Sequence, residues 1–360
     1  MPKHLFLGIA LLLGLVSNAQ ISAPKYSNEF LAIGVGARAL AMSGSVVSSN
    51  QDLTAGYWNP AGLTGIAQDM QVGYMHADYF AGIAKFDYAG IAKRMDDESA
   101  ASLSIMRFGV DDIPNTLDLL DAEGNIDYDR ISVFSASDYA FVFSYARNLP
   151  VEGLTLGGSA KVIYRQVGSF AQAWGFGLDA GLRYKWRNWD LGLMARDITS
   201  TWNAWSFSFE EDELQTLLVT DNILPENSIE LTLPRLIFAV SRKWEFQNIS
   251  VLAEGNLDVT TDGRRNVLVS ANPFSIDPHM GVEIGYKNRL FLRGGAGSLQ
   301  QVYAGVGEEQ NWTFQPSAGV GLALKGLKLD YALTNLGFAG GSNYTNIFSV
   351  RFDIVKRGES

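Results

Sequence analysis

The stretch Ala173–Trp186 reads A-W-G-F-G-L-D-A-G-L-R-Y-K-W and alternates between apolar side chains and small or polar ones. Successive side chains of a β-strand point to opposite faces, so this pattern predicts a strand with one apolar face. That face begins with Trp174, ends with Trp186 and is aliphatic in its middle. Aromatic rings at both ends of an aliphatic surface are typical of a strand that crosses a bilayer. A strand of this length, tilted by about 40°, spans about 30 Å.

Similar segments recur after residue 70, and their number and spacing predict the fold. We identify about fourteen alternating segments: Gln71–Phe80, Ala84–Arg94, Ala100–Gly109, Ser137–Asn148, Leu154–Gln166, Ala173–Trp186, Trp189–Asp197, Pro234–Glu245, Asn248–Asp258, Pro278–Lys287, Arg289–Gly297, Phe314–Leu324, Gly326–Asn335 and Asn346–Lys356. All the long connections follow odd-numbered segments. A soluble sandwich has no reason to sort its loops in this way. The sequence therefore predicts an all-β fold, a transmembrane antiparallel up-and-down β-barrel of about 14 strands.

The chain divides into three predicted parts. Residues 1–19 have a basic start, an apolar core and small residues before the cleavage point, which predicts a signal peptide for export. Residues 20–70 do not alternate, and we expect them to form an N-terminal hatch or plug inside the barrel, although a plain arm is the simpler alternative. Residues 71–360 are expected to form the barrel, integral to the cell outer membrane and in contact with its lipid.

Composition excludes several classes of function. The chain has no cysteine, which removes disulfides, thiolate metal sites and a cysteine nucleophile. Its net charge of −10 makes nucleic acid an unsuitable partner. We predict no cofactor, no metal and no enzymatic activity. His76 shares a strand face with Asp78, and His279 is isolated, so a hydrolase of the barrel wall remains only a third hypothesis.

Charged residues on the small or polar faces are expected to point into the lumen. Both signs are present, so we expect them to pair across a filled barrel rather than to line an open pore. The predicted lumen-facing set is Lys85, Asp87, Lys161, Arg165, Asp179, Arg183, Lys185, Asp190, Arg196, Glu254, Glu283, Arg293, Lys328, Asp330, Arg351 and Asp353.

Two predicted loops carry candidate binding residues. The acidic loop 111–129 offers several oxygen ligands, so calcium binding is conceivable, but an ordinary solvated loop explains the composition as well. The second loop combines aromatic residues with an amphipathic stretch, which indicates a surface for a protein partner. Its candidate contact residues are Trp202, Trp205, Phe207, Phe209, Leu214, Leu217 and Leu218.

Two motifs near the N-terminus resemble a known family. They are G-A-R-A-L-A-M-S-G at Gly36–Gly44 and W-N-P-A-G-L at Trp58–Leu63. The sequence resembles the PorV/PorQ family, a branch of the FadL-like outer-membrane barrels of Bacteroidetes-type bacteria. The resemblance implies a fourteen-stranded barrel whose hatch carries Asn59, Pro60, Ala61 and Gly62. It also implies a component of the type IX secretion system, which binds the C-terminal signal domain of secreted cargo, the translocon barrel or the attachment machinery.

The alternative hypothesis is a FadL-like channel for hydrophobic small molecules. Such a channel needs an apolar pocket in the lumen and a lateral kink in one strand of the wall. The charged lumen set argues against it, although the hatch could line such a pocket.

Overall fold

The computed structural model describes residues 27–117, 119, 125–219, 224–303, 309–334 and 344–355. The predicted signal peptide lies outside these residues. Within them the chain forms three α-helices and a sheet of 17 strands. The helices are α1 (Ala37–Ala41), α2 (Ala55–Trp58) and α3 (Glu211–Val219). Short 3₁₀ helices span Glu29–Leu31, Pro60–Gly65, Phe80–Gly82 and Tyr128–Arg130.

The strands follow one another in simple antiparallel order. They are β1 (Met70–Tyr79), β2 (Ala84–Arg94), β3 (Ser99–Asn115), β4 (Ser132–Asn148), β5 (Leu154–Val167), β6 (Ala171–Trp186), β7 (Trp189–Arg196), β8 (Thr201–Phe207), β9 (Ser228–Thr232), β10 (Arg235–Glu245), β11 (Ile249–Thr260), β12 (Val269–Ser270), β13 (Ser275–Tyr286), β14 (Leu290–Tyr303), β15 (Gln310–Leu324), β16 (Leu327–Thr334) and β17 (Thr345–Ile354).

The sheet closes on itself, because β1 pairs with both β2 and β17. Closure removes every free edge, which a sheet in a bilayer requires. β7 and β8 both pair with β6 and occupy one strand position in the wall, one after the other. β9 and β10 likewise share the next position, since β9 pairs with β8. β12 is a short strand that, among the described residues, pairs only with β13. The wall therefore has fourteen strand positions, and the predicted barrel and its strand count are confirmed.

Two observed strands are longer than the segments predicted from the sequence. The predicted segment Ala173–Trp186 is β6 with two further residues at its start. Gln301 belongs to β14, which simply extends beyond the predicted end, so it does not add a crossing. The sequence missed β8 and β9, which it had placed in the long loop after β7.

The outer surface is apolar and the inner one is polar or small along most strands. On β4, Phe143 is 55% exposed, whereas Ala140 and Ser144 are fully buried. On β6, Trp174 and Trp186 are exposed at the two ends of the strand, as the sequence predicts. This is the surface that lipid covers in a membrane barrel. Among the described residues, no helix is long and apolar enough to cross a membrane.

Strands β1, β2 and β3 depart from this rule, and here the sequence prediction was wrong. Lys85 and Asp87, expected in the lumen, lie on the outer face, while Phe86 and Tyr88 point inward and are buried. The reason is packing against the N-terminal segment. Leu53 lies against the inner face of β1 and β2, and its methyl groups are within 3 Å of where a side chain would begin on the glycines of that face.

The described N-terminal segment, residues 27–66, contacts inward-facing side chains on many strands. Ser144 of β4 and Ser159 of β5 both donate hydrogen bonds to the carbonyl of Gly56 (3.1 Å each). Arg38 pairs with Glu283 of β13 at 2.9 Å, and Asp52 pairs with Arg351 of β17. Because these contacts come from opposite sides of the wall, the hydrophobic core lies between this segment and the inner face of the barrel.

Candidate functional site: a gap in the wall and the cavity behind it

Two neighbouring wall strands are interrupted at the same height. β7 ends at Arg196 and β8 begins at Thr201, while β9 ends at Thr232 and β10 begins at Arg235. Arg196 pairs with Arg235, and Thr201 pairs with Thr232. Between these two pairs, the four residues 197–200 lie opposite the two residues 233–234. No ladder hydrogen bond among the described residues joins these two stretches.

Local sequence explains the interruption. Asp197 and Ser200 both have φ of 55°, in the left-handed region that interrupts an extended strand. On the opposite strand Pro234 has no backbone donor for a ladder bond. Pro234 is the one sequence signal for this gap, although the alternating pattern predicts that a strand simply begins there.

A buried cation lies directly behind the gap. The ammonium of Lys161 on β5 is 2.8 Å from Asp179 and 2.5 Å from Asp197. The backbone N–H of Asp197 also donates to Asp179 (2.7 Å), and the Thr201 hydroxyl donates to Asp197. These contacts hold the interrupted end of β7 against β5 and β6, so the gap is a built feature of the wall.

A cavity of about 290 Å³ opens onto the gap. Leu233 and Pro234 of the gap line one side, and residues 27–32 of the N-terminal segment line another. Met106 and Val142 contribute an apolar wall, and Lys161 contributes the charged one. The cavity therefore joins the space around the N-terminal segment to the interruption in the wall.

Arg196 lies at the edge of this cavity without a carboxylate partner among the described residues. Its guanidinium donates to the hydroxyl (3.0 Å) and the carbonyl (3.2 Å) of Tyr57 and lies 4.2 Å from the Tyr57 ring centroid. Its Nε is buried and has no hydrogen-bond partner. Burial of a cation without an opposite charge is costly. Arg196 therefore places at the cavity edge a positive charge that no carboxylate of the described residues contacts directly, while Asp179 and Asp197 line the same cavity.

The opposite side of the lumen is apolar. Met75, Phe86 and Met106 are at most 1% exposed and point inward from β1, β2 and β3. The Tyr79 and Phe86 rings meet edge to face with centroids 6.4 Å apart, and Phe108 lies against both. This apolar lumen surface, which the sequence pattern does not predict, is thus formed by β1, β2 and β3, the strands whose charged residues point outward.

A second cavity, of about 200 Å³, has a mixed polar and apolar lining and shares Arg196 and Arg235 with the first. His279 lines it, with Nε2 3.3 Å from Asp277. On the outer face, His76 bonds Asp87 through Nδ1 (2.8 Å) and lies 3.4 Å from Asp78. In the part of the chain that the structure describes, no serine hydroxyl bonds either ring, and no acidic or histidine cluster is suited to a metal ion.

The motif Asn59, Pro60, Ala61 and Gly62 packs against the small-residue face of β6. The Asn59 amide donates to the carbonyl of Leu182 (3.2 Å), and its oxygen accepts from the N–H of Ala61 (3.1 Å). A side chain at Gly181 would begin only 2.0 Å from the Asn59 oxygen. The glycines of the opening stretch therefore leave room for this motif, a contact that sequence spacing alone does not reveal.

The candidate partner-contact residues do not form one surface. Trp202, Trp205 and Phe207 lie in β8 rather than in an irregular loop. Trp202 points outward and is 42% exposed, whereas Trp205 points inward, donates to Glu230 (2.9 Å) and stacks on Arg165. Because side chains alternate along β8, Trp202 and Trp205 lie on opposite faces of the wall.

The remaining candidates lie beyond β8. Phe209 stacks on Phe170, and the predicted amphipathic helix is observed as α3 with Leu214, Leu217 and Leu218. Leu218 is 60% exposed. In the acidic loop, Asp111 belongs to β3, while residues 118 and 120–124 lie outside the described residues, so calcium binding there stays a prediction.

Solved structures share this architecture at low sequence identity, whereas no protein-family model and no curated protein matches the chain. The CymD monoaromatic hydrocarbon channel is 13% identical with a TM-score of 0.56, and the alignment covers 90% of this chain and 98% of that one. The Ralstonia pickettii toluene transporter TbuX is 14% identical (TM-score 0.55, 89% and 98% covered). The Pseudomonas putida toluene transporter TodX is 13% identical (TM-score 0.56, 89% and 98% covered). At this identity the likeness concerns the fold alone, which is that of a FadL-like barrel.

Proposed function

We propose that the protein is an outer-membrane channel that lets small hydrophobic molecules leave the lumen sideways through the gap between β7–β8 and β9–β10. One observation carries the proposal: the gap in the hydrogen-bond ladder borders a cavity of about 290 Å³ that lies beside the N-terminal segment. A molecule that is poorly soluble in water gains by entering the membrane directly. The toluene and hydrocarbon channels of similar fold support the same choice.

The chemistry of the cavity refines the substrate class. Met106 and Val142 offer an apolar wall, while Arg196, which no carboxylate of the described residues contacts directly, offers a buried cation at the cavity edge. We therefore expect molecules with an apolar body and one anionic or polar group to be held better than bare hydrocarbons.

The test closes the gap without changing the lumen. Deleting Ile198 and Thr199 leaves two residues facing two, which restores equal strand lengths and keeps the inside–outside alternation. We expect cells that carry this variant to lose uptake of labelled toluene and benzoate, while the purified barrel still shifts in mobility on heating. Replacing Ile198 and Thr199 by alanine keeps the gap and is the matched control. Uptake at the wild-type rate by the deletion variant would disprove lateral exit.

A role in type IX secretion is the second candidate, and it rests on the N-terminal motifs and on the exposed Leu218 of α3. In that case the extracellular side binds a cargo signal domain or the translocon, without catalysis. Deleting the gene should then leave type IX cargo inside the cell, and replacing Leu218 with glutamate should weaken partner capture. Normal secretion of every cargo in the deletion strain rules this candidate out.

A further inference from the structure

Arg242 lies on the outer face of the wall, at the end that carries the short turns. Its guanidinium lies between two tryptophan rings, 5.2 Å from the centroid of Trp189 and 5.2 Å from that of Trp244. Trp189 is its direct partner across the β7–β10 ladder, and each tryptophan is 37% exposed. The Nε of Arg242 is buried without a hydrogen-bond partner. Two rings thus fix a guanidinium at the aromatic girdle.

Two further cations on the same rim each lie over one aromatic ring. Arg187, in the turn after β6, lies over the ring of Trp186 at 5.5 Å, and Lys287, in the turn after β13, lies over Tyr286 at 5.3 Å. Both cations occupy positive-φ positions, at 54° and 51°, where glycine or asparagine is the usual residue. Trp186 is paired with Trp189, so the first two sites are neighbours on the wall.

None of these three cations has a carboxylate partner among the described residues. Elsewhere on the short-turn rim, Arg94 pairs with Asp97 at 2.9 Å and Arg147 pairs with Glu98 at 3.3 Å. The chain as a whole carries a net charge of −10. The arc of the outer rim that carries Arg187, Arg242 and Lys287 is therefore locally positive on an acidic protein. An anion from outside the chain is the natural complement of this arc.

We propose that the arc formed by Arg187, Arg242 and Lys287 binds the phosphate groups of anionic phospholipids in the periplasmic leaflet. The arc faces outward at the level where the girdle aromatics end and headgroups begin, so a lipid phosphate is the anion that reaches it. The flanking rings cover the acyl-glycerol region while the cations meet the phosphate. Bound lipid would anchor the same half of the wall that contains the gap.

The test is lipid retention by the whole protein. Detergent-purified protein is titrated with dimyristoylphosphatidylglycerol or with dimyristoylphosphatidylcholine, and bound lipid is counted by native mass spectrometry. We expect the wild type to prefer phosphatidylglycerol. Arg242→Gln should weaken that binding about five-fold, as expected for one cation at an anionic surface, and the triple variant with Arg187→Gln and Lys287→Gln should lose the preference.

Arg147→Gln is the matched control, because it removes one outward rim cation that Glu98 already neutralises. It should leave retention of phosphatidylglycerol unchanged. The proposal is overturned if Arg147→Gln weakens binding as much as Arg242→Gln, if the triple variant still prefers phosphatidylglycerol, or if wild type retains the two lipids equally. Heat-modified mobility identifies variants that have folded, and only these enter the comparison.

Discussion

Strands β1–β3 and strands β5–β11 both alternate along the chain, but they place their charged residues on opposite faces of the wall. In β5–β11 charged residues such as Lys161 and Glu254 point inward and are at most 4% exposed. In β1–β3 charged residues such as Lys85 and Asp87 point outward, and Phe86, Tyr88 and Phe108 point into the lumen. Along one row of the wall, His76, Asp87 and Arg107 replace the outward aromatic residues that continue on either side as Phe348 and Tyr139.

The difference shows what decides the orientation of a strand. Alternation separates two faces, but the partner inside the barrel chooses which face is buried. For β1 and β2 that partner is apolar, namely Leu53 of the N-terminal segment. For β5 and β6 it is polar, namely the carbonyl of Gly56 and the amide of Asn59. The result is a lumen with an apolar side and a charged side, which suits a molecule that has both kinds of surface.

The largest expected effect comes from the inner charges. Lys161→Met leaves Asp179 and Asp197 buried without their cation, which should cost about 3–5 kcal/mol of unfolding free energy. Lys85→Met is the matched control, because the Lys85 side chain is 47% exposed and its ammonium is 3.7 Å from Asp111. We expect a loss of at most about 1 kcal/mol. Urea unfolding in lipid vesicles, followed by tryptophan fluorescence, measures both. Equal losses would remove the distinction between inner and outer charges.

An intermediate effect should depend on pH. Burial alone would raise the pKa of the Asp52 carboxyl, but Arg351, the Thr54 hydroxyl and Arg38 lower it from 3.8 to about 2. The stabilisation is therefore complete above pH 4 and is lost as the pH falls toward 2, by about 2 kcal/mol. Asp52→Asn should remove this dependence. The unfolding free energies of the two proteins should converge as the pH falls, and a constant difference from pH 6 to pH 2 contradicts the assignment.

The smallest effect should come from the outer polar row. The Tyr74 hydroxyl donates to Asp87 at 2.6 Å on the outer face, where Tyr74 is 46% exposed. Tyr74→Phe removes one partly solvated hydrogen bond, so we expect a loss of about 0.5–1 kcal/mol in the same unfolding assay. A loss as large as that of Lys161→Met would mean that this row is shielded from water and contacts another molecule.

The sequence by itself determined the barrel, because a period of two over segments of about ten residues has no other closed solution in a membrane. It predicted strands such as Ala84–Arg94 with their observed bounds. It also predicted that the long loops all lie at one end of the barrel. Local alternation and turn residues suffice for this, since each strand carries its own pattern.

Only the tertiary structure decided the site. Whether Lys85 points in or out depends on Leu53, which is distant in sequence, and the gap arises because residues 197–200 face Leu233 and Pro234 across a ladder. That no carboxylate of the described residues contacts Arg196 or Arg242 directly is likewise invisible in sequence, because only folding decides which charges come into contact. Packing between distant segments sets these features, and no local pattern records it.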